Sequence, residues 1–352
     1  MDPVQQVLSA QSPKEVFGAL PDGSFEEQER ALKKAFRLIA KKIHGDVNSS
    51  PDAKEAFIQL QRLHTQAALD LKAGRYGHTK TTVLKVSGVD LLVETQPAFG
   101  GDSADYYSAT RYKGDADPEL VLVKIARSPK ARSLMENEVS ILQEILSDPQ
   151  ALKSSAFYPS PIESFKFKDG SRVRAATIFR RPWTNLYDLN DVRKRYPLGI
   201  DAKDMAWMFR RLLFVVGLTH RQGILHGAIL PRHILIEPEQ HGVILVDWKH
   251  AQKFGRQLKK IPKGSRAFYP PEVLEHQELG PPTDIWMAVS AMLRVFGPHP
   301  QRHVPKPILN FIRGCLQESP ASRPQDAWAL SQEFDELIGR LWGPRRFHEF
   351  EM

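Results

Sequence analysis

The chain has 352 residues, which is more than one average domain, since domains usually contain about 100–150 residues. It is 41% hydrophobic and 26% charged, a composition that argues against a disordered chain or a coiled-coil rod. No apolar run approaches the roughly 18 residues that a membrane span needs, and the N-terminus lacks the pattern of a secretory signal. A single cysteine, Cys315, cannot form an internal disulfide, so we expect a cytoplasmic protein.

The formal net charge of +8 is concentrated in one segment. Residues 249–272 contain seven basic side chains and one acidic side chain, whereas residues 1–80 contribute only +2. Such a segment favours an acidic protein partner or a solvated loop over nucleic acid, because no arrangement of stacking aromatics can be read from it. The partner-binding candidates are Lys253, Arg256, Lys259, Lys260, Lys263 and Arg266.

The first 77 residues predict a small helical module. Ser24 and Glu27 are spaced as in a capping box, which opens a helix whose apolar residues recur on one face. A polar break follows, and a second amphipathic helix begins near Ser50-Pro51 and ends at Gly74. A shorter helical segment, residues 3–20, precedes this antiparallel pair.

This helical pair resembles a J-domain, the co-chaperone module that stimulates ATP hydrolysis by heat-shock-seventy-class chaperones. In that family the loop between the helices carries His-Pro-Asp, and the matching residues here are His44, Gly45 and Asp46. Glycine in place of proline loosens the loop. The resemblance therefore implies a degenerate J-like module used for docking or assembly more than for chaperone stimulation.

A β-rich region begins near Thr81. Four segments favour strands: 89–93, 105–111, 120–126 and 173–179, with a helical stretch at 131–146 between the third and the fourth. Helical periodicity then dominates from Arg180 to Leu341. A small β-rich lobe followed by a larger helical lobe predicts an α+β fold.

Residues 88–342 resemble the eukaryotic-like protein kinase fold through six motifs in the expected order. Lys124 stands in a third-strand motif, and Glu138 follows on the next helix. Residues 225–236 align with the catalytic loop, and Asp247-Trp248-Lys249 aligns with the magnesium-binding segment. The remaining framework residues that the resemblance assigns are His226, Glu272, Asp284 and Arg323.

The catalytic loop departs from the family pattern at three positions. Where the family has the aspartate base, the lysine and the metal-binding asparagine, this chain has Ala228, Leu230 and His233. A methyl group can neither accept a proton nor align a hydroxyl, so the resemblance implies a pseudokinase. A metal-ligand role for His233 is less favoured than a structural one, because no second ligand stands at the required spacing.

The resemblance still implies a nucleotide-shaped skeleton. Lys124, Glu138 and Asp247 would hold ATP through one magnesium ion on Asp247, weakly or not at all. Gly100 and Gly101 stand where the family has its glycine-rich loop, although an ordinary β-turn explains them as well. Gly227 replaces the arginine that senses a phosphorylated activation loop, so that form of regulation is not expected.

These observations predict four segments: a J-like module at 1–77, a kinase-like N-lobe at 78–181, a C-lobe at 182–343 and a tail at 344–352. The expected fold is bilobal and α+β, preceded by the all-α module. The expected function is a scaffold or regulatory adaptor. The alternatives are an active atypical serine/threonine kinase or nucleotidyl transferase, and a J-domain co-chaperone. Fusion of compact kinase-like and J-like modules suggests a bacterial or phage source by association alone.

Overall fold

The structure is a computed structural model, and it describes residues 2–10, 12–43, 50–72, 76–77, 81–101, 103–112, 118–170, 172–180, 186–258, 260–262, 264–344, 347 and 349–352. The chain divides into two compact units, and strand β5 runs from the first into the second. The first unit comprises residues 1–100 and 105–124, and the second comprises residues 101–104 and 125–352. None of the helices in these ranges is long and apolar enough to cross a membrane.

The first unit combines a helical module with the strands that follow it. Its elements are α1 (Pro3–Ser9), α2 (Pro13–Phe17), α3 (Phe25–Ile43), α4 (Ala53–Lys72), β1 (Thr81–Val86), β2 (Val89–Glu94), β3 (Phe99–Gly100), β4 (Ala104–Tyr112) and β5 (Glu119–Ala126). The strands follow the order β1-β2-β4-β5, and β3 pairs with β4. Ser87 and Gly88, both at positive φ, join β1 to β2, as a tight two-residue hairpin requires.

Helices α1 to α4 share one apolar core. Val4, Leu32, Ile43, Leu60 and Leu63 are completely buried in it. The capping box predicted at the start of α3 is confirmed: the Ser24 backbone N–H donates to Glu27 Oε2 at 2.8 Å, and the Glu27 N–H donates to Ser24 Oγ at 3.4 Å. The residues of the J-like loop, His44, Gly45 and Asp46, lie outside the described residues.

Helix α4 contacts strand β4 through buried hydrogen bonds. Thr110 Oγ1 donates to Gln66 Oε1 at 2.5 Å, and Gln66 Nε2 donates to Asp70 Oδ1 at 2.8 Å. Tyr112 Oη donates to the Arg62 carbonyl at 2.8 Å, and Arg62 forms an ion pair with Asp90 of β2. Because buried polar groups are costly without partners, these contacts tie the helical module to the strands within the first unit.

The second unit is mainly helical. Its elements are α5 (Arg132–Ser147), α6 (Pro149–Lys153), β6 (Ser160–Asp169), β7 (Arg172–Arg180), β8 (Tyr187–Asp188), α7 (Leu189–Arg195), α8 (Ala202–His220), β9 (Ile224–Leu225), β10 (Ile234–Glu237), β11 (Gly242–Leu245), β12 (Gln252–Lys253), α9 (Pro271–Leu274), α10 (Pro281–Met292), α11 (Lys306–Cys315) and α12 (Ala327–Trp342). Strands β6 and β7 form an antiparallel hairpin, while β11-β10-β8 and β12-β9 form two small sheets.

Helices α8 and α10 form the centre of the second unit. Met208, Leu212 and Leu213 of α8 and Ile285 of α10 are completely buried. A Cβ on Gly217 of α8 would lie 2.8 Å from the Trp328 backbone of α12, so the close approach of these helices requires glycine there. Helix α10 ends at Met292, and a 3-10 turn continues to Val295.

Candidate functional site

The residues aligned with the catalytic loop are held by a carboxylate of α10. Asp284 Oδ2 accepts the backbone N–H of His226 at 2.7 Å, and Asp284 Oδ1 accepts that of Gly227 at 2.9 Å. His220 Nε2 lies 3.1 Å from Asp284 Oδ2. Burial alone would raise the pKa of Asp284, but the hydrogen bonds from His220 and from the Gly227 N–H hold that pKa below its ordinary value. The loop backbone is therefore fixed by an ionised, buried side chain.

His226 is a neutral part of this framework. Its Nε2 lies 3.1 Å from the Val246 carbonyl, to which it donates, and its Nδ1 accepts the Ala228 N–H at 3.2 Å. Complete burial lowers the pKa of His226 to about 4, although the charge of Asp284 acts in the opposite direction. Each ring nitrogen already has a partner in the neutral form, so the ring orders the loop and is not available as a proton carrier.

The residue that the resemblance places at the catalytic-base position is a buried alanine. Ala228 is completely buried, and its carbonyl accepts a hydrogen bond from His233 Nδ1 at 2.7 Å. Leu230 is also completely buried. Gly227, just before Ala228, has a φ of 70°, and a Cβ there would lie 3.0 Å from the His250 carbonyl. The positive φ and this close contact both favour glycine at this position.

Asp247 lies beside a lysine and a histidine of its own chain. Its Oδ2 lies 2.5 Å from Lys249 Nζ and 2.9 Å from His233 Nε2, and the side chains of all three residues are at most 2% exposed. The backbone of Asp247 has a φ of 70°, a left-handed conformation that is uncommon for residues other than glycine and often occurs at functional sites.

These residues do not fit a divalent metal ion at Asp247. Magnesium prefers oxygen ligands at about 2.0–2.1 Å in octahedral geometry, whereas Asp247 Oδ2 is paired with an ammonium group and faces an imidazole. Within the part of the chain that the structure describes, no three His, Cys, Asp or Glu side chains form a group that would hold a metal ion. The arrangement supplies an internal ion pair where the resemblance implied a metal ligand.

Helix α5 anchors the segment that contains Asp247. Glu138 Oε1 accepts the Trp248 backbone N–H at 3.0 Å, and Asn137 Nδ2 donates to the carbonyls of Lys249 and Ala251, both at 3.1 Å. The completely buried Trp248 donates its ring N–H to the Leu245 carbonyl at 2.7 Å. Two consecutive side chains of one helix therefore fix the backbone on both sides of Lys249.

Lys124 belongs to the first unit, whereas Glu138 and Asp247 belong to the second. Lys124 is 1% exposed, and its Nζ lies 4.9 Å from the centre of the Tyr106 ring. Tyr106 in turn stacks on Phe99 with ring centres 4.5 Å apart. The ammonium group thus has an aromatic face as a neighbour, an attractive cation–π arrangement in a buried setting.

The two glycines of the expected phosphate loop lie at a hairpin. Gly100 pairs with Asp105 where β3 meets β4. The Gly101 N–H donates to the Ala104 carbonyl at 2.9 Å, and a Cβ on Gly101 would lie 2.8 Å from that oxygen. Gly101 is therefore required by a tight turn, which accounts for one of the two glycines without a ligand.

Glu272 and Arg323 form a buried bidentate ion pair in the second unit. The two Oε–Nη distances are 2.7 and 3.0 Å. Arg323 also donates to the carbonyls of Gln317 and Glu318 and lies over the Trp286 ring, while Thr283 Oγ1 donates to Glu272 at 2.9 Å. Both side chains thus form further hydrogen bonds besides those to each other, and a buried ion pair requires such bonds to offset its loss of solvent.

The basic segment lies partly outside the described residues, since it includes Lys259 and Lys263. Arg256, Lys260 and Arg266 are exposed, whereas Lys253 forms an ion pair with Glu144 of α5. A cavity of about 560 Å³ is lined by α5 and by residues 249–258, Lys253 and Arg256 among them. The described part of the segment therefore presents positive charge beside a cavity of ligand-binding size.

A family model for the protein kinase domain matches residues 110–298. That match covers more than half of the chain. The chain belongs to the protein kinase domain family. Binding of ATP and Mg²⁺ is possible in a domain of this family, and the α+β division into strands and helices fits its bilobal fold.

A relative in the same family is a probable serine/threonine-protein kinase of Dictyostelium discoideum. It is 25% identical to this kinase-like chain over 156 residues, which cover 44% of this chain and 23% of that protein. The chain thus matches about a quarter of the relative's length. The activity of the whole relative is therefore not assigned to this chain.

The role of Lys249 was not predicted from the sequence. Lys249 was counted only as one of seven basic residues in the segment 249–272, although it stands two residues after Asp247. One sequence feature could have indicated this role: Lys249 lies within the segment aligned with the magnesium-binding motif, close enough along the chain to reach the Asp247 carboxylate. The structure separates Lys249 from the exposed basic residues, because its side chain is 1% exposed and paired with Asp247.

Proposed function

We propose that this chain is a catalytically impaired protein-kinase-like protein, a pseudokinase, which acts as a scaffold or regulatory adaptor. The observation that carries the proposal is Ala228, a completely buried alanine at the position of the catalytic base. Phosphoryl transfer needs a group that orients the attacking hydroxyl and accepts its proton. Alanine supplies neither function.

The metal-binding positions support the same proposal. His233 stands at the position of the asparagine ligand and uses Nδ1 to hold the Ala228 carbonyl. Asp247, the second expected ligand, is paired with Lys249. Metal ions neutralise the developing charge in phosphoryl transfer, so engagement of both positions by protein groups disfavours the reaction.

Weak or absent ATP binding follows from the surroundings of Lys124. The lysine is buried and its ammonium group lies against the Tyr106 ring. A phosphate group would have to compete with this cation–π contact, which is worth about 2 kcal/mol when desolvated. ATP therefore acts, where it binds, as a conformational ligand of low affinity and not as an efficient phosphate donor.

An adaptor role is supported by the helical module and by the basic segment. The contacts of Gln66 with Thr110 and Asp70 join the J-like helices to the strands of the first unit, which suits assembly better than an independent co-chaperone. Arg256, Lys260 and Arg266 offer an acidic protein partner an exposed positive surface.

The basic surface predicts selective binding of acidic polypeptides. Polyglutamate is expected to bind the full-length chain, and changing Arg256, Lys260 and Arg266 together to glutamate is expected to weaken that binding about tenfold or more, since each exposed pair contributes up to about 1 kcal/mol. Fluorescence anisotropy at fixed ionic strength measures the affinity. Equal affinities of the wild type and the triple variant, or tighter binding of duplex DNA than of polyglutamate, would contradict an acidic protein partner.

The absence of catalysis is tested with two labels. The full-length chain is incubated with Mg²⁺ and ATP labelled at the γ- or the α-phosphate, together with generic protein substrates. We expect no label in the chain or the substrates above a heat-denatured control. Incorporated γ-label that Lys124→Ala abolishes would support the active atypical kinase, and incorporated α-label would support the nucleotidyl transferase. Faster ATP turnover by an added chaperone, lost in His44→Ala, would support the co-chaperone.

A further inference from the structure

We propose that the Lys249 ammonium group takes the place of a divalent metal ion at Asp247, so that this chain holds no metal ion there. The inference deepens the proposed function and rests on it for the assignment of Asp247 to the magnesium-binding segment. In this proposal the cation beside Asp247 is a lysine side chain of the protein, whereas a typical kinase binds a metal ion from solution at that position.

The first support is the position of the ammonium group. Lys249 Nζ lies 2.5 Å from Asp247 Oδ2, and the two side chains are 1% and 2% exposed. Breaking a buried ion pair by removing one partner is costly, because the other charge loses its counter-ion. Removal of the lysine would therefore take a full positive charge away from the buried Asp247 carboxylate.

The second support is the ring on the other side of the same oxygen. His233 Nδ1 faces the Ala228 carbonyl at 2.7 Å and must donate to it, because a carbonyl only accepts hydrogen bonds. His233 Nε2 lies 2.9 Å from Asp247 Oδ2. Asp247 Oδ2 thus lies between an ammonium group and an imidazole edge, and a divalent ion at that oxygen would meet the lysine charge at close range.

The third support is the rigidity of the segment. Asn137 holds the carbonyls of Lys249 and Ala251, and Glu138 holds the N–H of Trp248. The residues that flank the lysine are therefore fixed on α5, and Lys249 itself is buried. Displacing the ammonium group would require the buried side chain to leave its counter-ion, which costs more than moving a surface lysine.

Metal binding is measured directly on the full-length chain with Mn²⁺ as the probe, followed by electron paramagnetic resonance. The wild type and Asp247→Asn are expected to bind Mn²⁺ equally weakly, because Asp247 is already neutralised. Lys249→Met keeps the length of the side chain but removes its charge, and it is expected to gain one Mn²⁺ site at least about tenfold tighter than any wild-type site. The matched control, Lys249→Met with Asp247→Asn, should lose that site.

A stoichiometric Mn²⁺ site in the wild type that Asp247→Asn abolishes would overturn the proposal. This comparison does not require Lys249→Met to fold. A folded Lys249→Met chain that gains no site would also overturn it, because the ammonium group would then not be what excludes the metal. Since no phosphate is transferred in this experiment, its outcome is independent of the labelling test of the proposed function.

Discussion

Replacing Glu272 with alanine is expected to lower the free energy of unfolding by about 3–5 kcal/mol, the usual effect of removing one partner from a buried ion pair. The variant would leave the Arg323 guanidinium without the two carboxylate oxygens at 2.7 and 3.0 Å. It would also deprive the buried Thr283 hydroxyl of its acceptor. Most of the lost stability is expected to come from the buried Arg323 charge, which no longer has a counter-ion.

Urea unfolding of the full-length chain, followed by tryptophan fluorescence, measures this change. The double variant Glu272→Leu with Arg323→Met is the matched control, because it removes both charges and preserves side-chain volume. It is expected to lose less than Glu272→Ala alone, since replacing a whole buried pair with apolar groups is often nearly neutral. A loss below about 1 kcal/mol in Glu272→Ala would show that the pair is not buried as described.

The stability of the chain is expected to fall as the pH decreases from 6.5 to about 4, and His226 accounts for about 3 kcal/mol of that fall. Burial lowers the pKa of His226 to about 4 in the folded chain from its ordinary value of 6.5. Below pH 6.5 the unfolded chain takes up a proton that the folded chain does not. The stabilisation from neutral His226 is therefore fully present above pH 6.5 and is lost as the pH falls toward 4.

The matched variant is His226→Gln, whose amide group can donate to the Val246 carbonyl without titrating. Urea unfolding at a series of pH values between 4 and 7.5 compares the two chains. The slope of stability against pH is expected to be smaller for His226→Gln across this range, whatever its stability at neutral pH. Equal slopes for the two chains would contradict the assignment of a neutral, buried ring to His226.

Local patterns predicted the helices of the first unit, helix α5 and four of the strands. The spacing of Ser24 and Glu27 predicted the start of α3, and β-branched runs predicted strands β2, β4, β5 and β7. Strands β1 and β6 were not among the predicted segments, although β1 is rich in β-branched residues and β6 alternates phenylalanine with lysine. Their place in a sheet is decided by hydrogen bonds to neighbouring strands, which the local sequence does not encode.

The long-range contacts could not be predicted. Gln66 and Thr110 are 44 residues apart, and neither has a local pattern that identifies its partner. The motif order did predict the kinase family, while the assignment of Glu272, Arg323 and Asp284 to the kinase framework stays a prediction. It could not predict the arrangement at Asp247, because the position of the Lys249 ammonium group depends on the backbone turn that Asn137 and Glu138 fix from α5.

The most direct test of the central claim, that the chain does not transfer phosphate, is phosphorus NMR of ATP incubated with the full-length chain and Mg²⁺. One spectrum reports phosphoryl transfer, hydrolysis and nucleotidyl transfer together. We expect the ATP resonances to decay no faster than in buffer alone, with no build-up of ADP, AMP, phosphate or pyrophosphate. Formation of ADP or pyrophosphate by the wild type, abolished in Lys124→Ala, would contradict a catalytically impaired kinase.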